Sequence, residues 1–278
     1  MVATTEKGVV FGNGFLGNRI GKHLGYEVMG QEVIDVKGIS AVLDTIKPTV
    51  VVNAVGITGR PNIDWCEDHK PDTLLGNVAA PIVLASLCVQ RGIHFVHLGS
   101  GCIYQGENGG IGYSEQDPPN HFEAFYPRTK IMAEGALKEL PVLQIRIRMP
   151  IDDHSDPRNL IDKIKGYPRV VDQTNSMTII PEMLEALRRL IAKRSTGVYN
   201  LVNPGVISPY EIMLLYKEIV DPSASFVRIN AQELDHMVVA KRSNCRLDTR
   251  KLATEGIVLS DIHDGVRACL LNYRRSLT

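Results

Sequence analysis

Short apolar runs alternating with helical stretches set the rhythm of the first half of the chain. Gly8 to Phe11 is an apolar run that leads straight into glycines, and Leu16, Ile20 and Leu24 then recur at helical spacing. That pattern predicts a strand, a turn and a helix. Thr49 to Asn53, Ile93 to Leu98 and Pro141 to Ile147 read as buried parallel strands, with helices over Pro71 to Gln90 and Pro127 to Leu140. The whole predicts an α/β fold with a doubly wound, Rossmann-like parallel sheet. Tyr26 to Ser40 should hold the second strand but shows no clear acidic residue at a strand end. After Pro150 the pattern turns polar (IDDHSDPRN), and amphipathic helices follow near Pro181 to Lys193 and Pro209 to Val220. No internal repeat, low-complexity tract or long charge run interrupts it.

The turn after the first strand reads Gly12-Asn13-Gly14-Phe15-Leu16-Gly17. Its strand-turn-helix setting is the one in which such glycines hold a dinucleotide. Gly12 permits the tight turn, Gly14 lets the backbone approach a pyrophosphate, and Gly17 lets helix and strand pack closely. We assign residues 1–150 to a dinucleotide-binding domain and 151–278 mainly to a smaller C-terminal substrate domain. Asn53 and Ala54, at the end of the third strand, join Gly12 to Gly17 in the cofactor set.

Tyr126 and Lys130, in FYPRTK, stand four residues apart, downstream of the glycines and of the hydroxyl at Ser100. On a helix that spacing puts phenol and ammonium on one face, so the cation can stabilise a phenolate. A proton donor beside a dinucleotide site points to reduction of a carbonyl by a nicotinamide. The fingerprint itself does not decide between NADPH and NADH.

Charge narrows the classes. Lys plus Arg equals Asp plus Glu at 31 each, which gives no field for nucleic acid or an anionic membrane surface. The five cysteines lack CxxC spacing, and His97, His121 and His154 lack metal-like spacing. Neither a disulfide framework nor a metal site is indicated, and a reducing cytoplasmic setting fits. We expect a soluble protein, because no window approaches the roughly 20 apolar residues of a membrane span.

The glycine turn, the run GSGCIY with Ser100, and Tyr126-x-x-x-Lys130 resemble the extended, nucleotide-sugar-modifying short-chain dehydrogenase/reductases. Three further stretches, NAVGITGRPNIDWCEDHK, MPIDDHSDPRNLIDKI and KRSNCRLDTRKL, resemble the bifunctional UDP-4-keto-6-deoxyglucose 3,5-epimerase/4-reductases of UDP-rhamnose synthesis, and more distantly the dTDP-4-dehydrorhamnose reductases. The resemblance spans nearly the whole chain. It implies NADPH as cofactor, a UDP- or dTDP-linked 4-keto-6-deoxy sugar as substrate, and a homodimer. It also implies roles: Tyr126 protonates the C4 oxygen, Lys130 lowers the phenol pKa and holds the nicotinamide ribose, and Ser100 orients the ketone. Family members commonly carry Thr where Ser100 stands; either hydroxyl donates the bond. Cys102 and Lys163 correspond to the proposed epimerase acid/base pair.

Thr58, Arg60, Asn62, Asp64 and Trp65 follow the third strand, at the carboxyl end of the sheet, where ligands of such folds bind. Asn159 and the run Arg242-Ser243-Asn244 complete the expected substrate set. Two other readings stay open: a reductase without epimerase activity, and a non-catalytic reductase-like regulatory subunit.

Overall fold

The computed structural model of the chain describes residues 6–30 and 35–277. Six strands, β1 (Gly8–Phe11), β2 (Glu27–Met29), β3 (Val50–Asn53), β4 (His94–Ser100), β5 (Leu143–Ile147) and β7 (Gly197–Asn200), form a sheet in the order β2-β1-β3-β4-β5-β7. β6 (Arg169–Val171) pairs in parallel with β8 (Val227–Ile229) in a separate two-stranded sheet. In the large sheet β1 pairs in parallel with both β2 and β3, and β3 with β4. The chain leaves β1 toward β2 on one side and resumes at β3 on the other. This reversal is the topological switch point, beside which ligands bind in open α/β sheets. The glycine turn lies there.

The central strands β1 (GVVF) and β3 (VVVN) are apolar almost throughout and fully buried, as strands covered by helices are. Helices α1 (Phe15–Leu24), α2 (Val36–Ile46), α3 (Trp65–Asp68), α4 (Lys70–Leu74), α5 (Ala80–Gln90) and α6 (Phe125–Leu137) follow in chain order, with a π-helical turn at Leu75–Ala79 joining α4 to α5. Val9, Phe11, Val51 and Phe95 of the strands bury against Ile39, Leu43, Leu84 and Leu137 of α2, α5 and α6. α1 stops where Gly25 takes a left-handed conformation, φ 69°. The second strand falls inside the stretch 26–40 that the sequence left unread; residues 31–34 of that stretch lie outside the described ones.

The remaining helices are α7 (Leu160–Ile164), α8 (Ile180–Ala192), α9 (Pro209–Ile219), α10 (Ala231–Asp235), α11 (Arg250–Thr254) and α12 (Ile262–Ser276). A second core gathers Ile151, Ile179, Ile212, Met213, Val266, Leu270 and Tyr273. A capping box, Ser208 with Glu211, starts α9.

By its internal contacts the chain forms two compact units. One holds the chain up to Ser100, Phe122–Ile145 and Leu187–Tyr199; the other holds Gly101–His121, Arg146–Ala186 and Asn200 onward. The chain crosses between the units at several points, one of them between Ile145 and Arg146. Within the second unit, the fully buried Arg146 donates to the Ser114 carbonyl and Asn200 Oδ1, each at 3.3 Å, with its guanidinium 5.2 Å from the Tyr104 ring centre. That pairing satisfies a charge that burial would otherwise penalise.

One expectation needs correction. The continuous helical run Lys70–Gln90 is long and apolar enough, by length and composition, to cross a membrane; half of its apolar window is buried, as in a core helix.

Candidate active site

The three glycines of the first turn differ in what surrounds them. Gly12 has φ +107°, and a Cβ there would lie 2.8 Å from the Ala54 carbonyl carbon. A Cβ on Gly17 would sit 1.7 Å from the Gly12 carbonyl oxygen, so helix and strand can touch only without a side chain. Around Gly14 the opposite holds: apart from its chain neighbours, none of the described residues comes within 4 Å of the Cβ position. Gly14 is the N-cap of α1 and no side chain caps that end. The result is an open cradle at a helix N-terminus, with the shape and polarity that a pyrophosphate requires. Asn13 and Gly14 are exposed, Phe15 and Leu16 half-buried. Asn53 shapes the neighbouring loop. Its Oδ1 accepts the Val55 N–H at 3.0 Å and its Nδ2 donates to His97 Nδ1 at 3.1 Å. Burial, reinforced by Lys130, holds His97 well below the ordinary histidine range, so this ring is neutral.

Tyr126 and Lys130 both lie on α6 and both are buried. Lys130 Nζ is 5.8 Å from the centre of the Tyr126 ring, so the expected pairing of phenol and ammonium on one helix face is present. The ammonium also lies against the loop after β3: a Cβ on Gly56 would be 3.3 Å from Nζ. Ser100 closes β4 at its carboxyl end.

Two polar residues that the sequence reading passed over hold this arrangement. Asn77, fully buried in the π-helical turn, accepts the Ile57 N–H at 2.8 Å and donates to the Ile57 carbonyl at 2.9 Å and to Thr129 Oγ1 at 3.2 Å. Thr129 in turn donates to the Tyr126 carbonyl at 2.7 Å. Asn77 thereby ties the loop after β3 to the helix carrying Tyr126. Glu67 of α3 is the other: its Oε1 accepts the Phe125 N–H at 2.6 Å. An asparagine inside the apolar run LLGNVAAPIVLASL was a visible signal for the first; nothing local marks the second.

In the second unit Cys102 is buried in a 3₁₀ turn, Gly101–Ile103, directly after β4. Arg148 packs against that turn, since a Cβ on Gly101 would meet its Cγ at 2.9 Å. Its guanidinium donates to the Ser243 carbonyl at 3.0 Å and to Asn175 Oδ1, which also accepts the Cys245 N–H. Asn244 exchanges hydrogen bonds with the Gln105 amide, and Arg242 donates to the Ala240 carbonyl at 2.9 Å. Arg148 and Asn175 therefore link the cysteine turn to the run Ser243–Cys245, a connection that no sequence spacing announces.

Lys163 sits half-buried on α7. Burial first, and Arg158 second, hold its ammonium below the ordinary lysine range, with Asp156 opposing. Asn159 uses its whole amide locally: Oδ1 accepts from Asp152 N and Ile161 N, and Nδ2 donates to the Asp152 and His154 carbonyls. No hydrogen-bonding position of Asn159 is left for a substrate. Asp152, Asp153 and His154 bring ligand-type atoms within 4.8 Å of one another, and His154 is bonded directly to Asp153.

The loop after β3 is built largely on itself. Asn62 Oδ1 accepts the Asp64 N–H at 2.8 Å, and Trp65 stacks on His69 with ring centres 3.8 Å apart. Thr58 and Arg60 are exposed.

Glycines at the switch point and a Tyr-Lys pair on α6 are the features that reductases of the short-chain class carry. Residues 12–275 match the RmlD substrate binding domain model, and the chain belongs to that family and is an enzyme. It is 40% identical over 265 residues to a bifunctional dTDP-4-dehydrorhamnose 3,5-epimerase/dTDP-4-dehydrorhamnose reductase of Arabidopsis thaliana, covering 91% of this chain and 88% of that one. It is 39% identical over 262 residues to an Arabidopsis trifunctional UDP-glucose 4,6-dehydratase/UDP-4-keto-6-deoxy-D-glucose 3,5-epimerase/UDP-4-keto-L-rhamnose-reductase. That match takes 90% of this chain but only 39% of the longer protein. The crystal structure of the UDP-rhamnose synthase of Acanthamoeba polyphaga mimivirus superposes with TM-score 0.90 at 31% identity, over 96% of this chain and 99% of that one.

Proposed function

We propose that this enzyme reduces the C4 ketone of a nucleotide-linked 4-keto-6-deoxy sugar with NADPH, after inverting C3 and C5 of the same sugar. The observation that carries the reading is the buried Tyr126–Lys130 pair, set beside the open cradle at Gly14. NADPH, when bound, supplies hydride to C4. Gly12, Gly14 and Gly17 shape the place for its pyrophosphate, and Lys130 holds its ribose. Tyr126 protonates the C4 oxygen and Ser100 donates a hydrogen bond to it. Lys130 stabilises the phenolate that remains.

Epimerisation needs two groups, one on each face of the carbon. Cys102 removes the proton α to the ketone and Lys163 returns one from the opposite side. The lowered pKa of Lys163 supports this, because an ammonium below the usual range gives up its proton more readily. C3 and C5 both flank C4, so one pair serves both centres while Tyr126 and Ser100 hold the enolate oxygen. In the first unit Thr58, Asp64 and Trp65 are the sugar contacts and Arg60 the diphosphate contact; in the second, Asn159 shapes the loop before Lys163. UDP is the preferred nucleotide on this reading, supported by the likeness to the mimivirus synthase and the trifunctional plant enzyme. All five cysteines are buried thiols outside any disulfide, in keeping with work in the cytosol. Leu75 and Ile82 on the run Lys70–Gln90, and Met132 on α6, are exposed apolar side chains that support a homodimer through these helices.

The deciding experiment incubates the protein in D₂O with UDP- or dTDP-4-keto-6-deoxyglucose and no NADPH, and follows C3 and C5 by NMR. Deuterium should enter both positions, and Cys102→Ala should stop it while pre-epimerised sugar is still reduced. Reduction without exchange at either carbon would leave a reductase alone.

A further inference from the structure

Helix α6 starts without a cap of its own. Ala124 stands at its N-cap in extended conformation, and no side chain there accepts from the first turn. The acceptor comes from far along the chain: Glu67, 58 residues away, takes the Phe125 N–H on Oε1 at 2.6 Å. This is short for an N–H to oxygen bond, as charge-assisted ones are. The geometry also suits a carboxylate electrostatically, because the first turn of a helix presents unsatisfied N–H groups and positive potential. Phe125 is further held between two cations, with Lys70 Nζ 5.8 Å and the Arg128 guanidinium 5.5 Å from its ring centre. The residue after Phe125 is Tyr126.

We propose that Glu67 is a positioning residue for ketone reduction: its carboxylate clamps the first turn of α6 and so fixes where the Tyr126 phenol points. The inference rests on the role proposed above for Tyr126. Two anchors bracket that residue. Glu67 holds the N–H of the residue immediately before it, and Asn77, through Thr129, holds its own carbonyl. Both anchors are made to backbone atoms, so neither uses the phenol oxygen. A helix held at only one of these points can fray by a turn, and the loss would fall on orientation rather than on binding.

Three substitutions separate the possibilities. Glu67→Gln keeps an oxygen that accepts the Phe125 N–H, Glu67→Ala removes it, and Glu67→Asp withdraws it by one methylene. Hydrogen-deuterium exchange over the peptide 125–130 reads the clamp without any ligand. Steady-state kinetics with NADPH and with NADPH deuterated at the transferred position read its effect on chemistry. In Glu67→Ala, first-turn exchange should speed up and kcat should fall about tenfold, with the sugar KM unchanged and the primary isotope effect raised, because misplacement acts on the chemical step. Glu67→Asp should behave like Glu67→Ala, and Glu67→Gln, which keeps the acceptor without its charge, should move exchange protection, kcat and isotope effect together back toward the wild-type values. A merely structural role would lower kcat in proportion to the folded active-site concentration and leave the isotope effect at its wild-type value; that outcome overturns the proposal. So does wild-type exchange in Glu67→Ala. If the wild type oxidises no NADPH with any 4-keto sugar nucleotide, the proposed function fails on that result, and the exchange arm still decides whether Glu67 clamps α6.

Discussion

Lys130 rests its ammonium on the bare backbone of Gly56, with 3.3 Å between Nζ and the point where a Cβ would stand. Asn77 Oδ1 is 3.5 Å from the same point. Glycine here is a matter of space for the cation.

Gly56→Ala should be close to neutral, because the end of a lysine can yield a few tenths of an ångström. Gly56→Val adds branches that drive Nζ away from Tyr126, and a displacement near 1 Å costs about 10²-fold in rate. Tyr126→Phe, which removes the proton donor outright, should cost about 10²- to 10⁴-fold. Tyr126→Phe should still titrate with NADPH by fluorescence, and Gly56→Val should bind it more weakly because Lys130 is displaced. Reduction by Tyr126→Phe at the wild-type rate would dismiss it as the acid.

Gly14 and Gly17 should fail in different ways. A Cβ at Gly14 meets none of the described residues within 4 Å beyond its chain neighbours, so Gly14→Val should melt near the wild-type temperature while NADPH binding is lost. Gly17→Ala forces an atom to within 1.7 Å of the Gly12 carbonyl and should lower the melting temperature before any binding is measured. Unchanged NADPH affinity in a folded Gly14→Val protein would move the cofactor elsewhere.

His97 makes the fold sensitive to acid. Its folded pKa lies well below 6.5, so the unfolded chain takes up a proton that the folded one refuses. The unfolded state therefore binds more protons once pH drops below about 6.5, and stability falls by up to about 1.4 kcal/mol per pH unit for this one group. His94, also lowered by burial, adds in the same direction. In His97→Gln, whose amide oxygen can still accept from Asn53, urea midpoints measured from pH 7.5 to 5.5 should decline less steeply. An equal slope would assign the acid sensitivity to other groups.

The charges around Lys163 should tune epimerisation. As the proton donor it must be an ammonium, so exchange at C3 and C5 should fail on the alkaline side at a pH below the usual lysine value of 10.5. Arg158→Gln removes a like charge, raises that pKa and should move the alkaline limb upward. Asp156→Asn removes an opposing charge and should move it downward. Limbs that stay fixed in both variants would exclude Lys163 as the donor.

The nucleotide-binding end of the fold was legible because each part is local. An apolar strand, three glycines and a helical repeat are contiguous from Gly8 to Leu24, and Tyr126 and Lys130 share one helix face. The second strand was not, being three residues at the sheet edge with only partial burial and no alternation to detect. Arg148, Asn175 and Glu67 act through partners 27 to 95 residues away, and long-range pairing leaves no period in the sequence. Asn159 belongs to the expected substrate set, and in the fold its amide is engaged within its own loop.

The repeated crossing of the chain between its two units bears on the order of synthesis. The nucleotide-binding unit takes its last segment from Leu187–Tyr199, which carries all but the last residue of β7, long after the glycine turn has left the ribosome. Until that segment emerges β5 has no neighbour on its outer side, and a nascent chain stopped near residue 150 carries an open sheet edge. Neither half is a portable module. A fusion partner or an affinity tag belongs at the ends of the chain, and a break at any point from Gly101 to Tyr199 deprives at least one unit of a segment it needs.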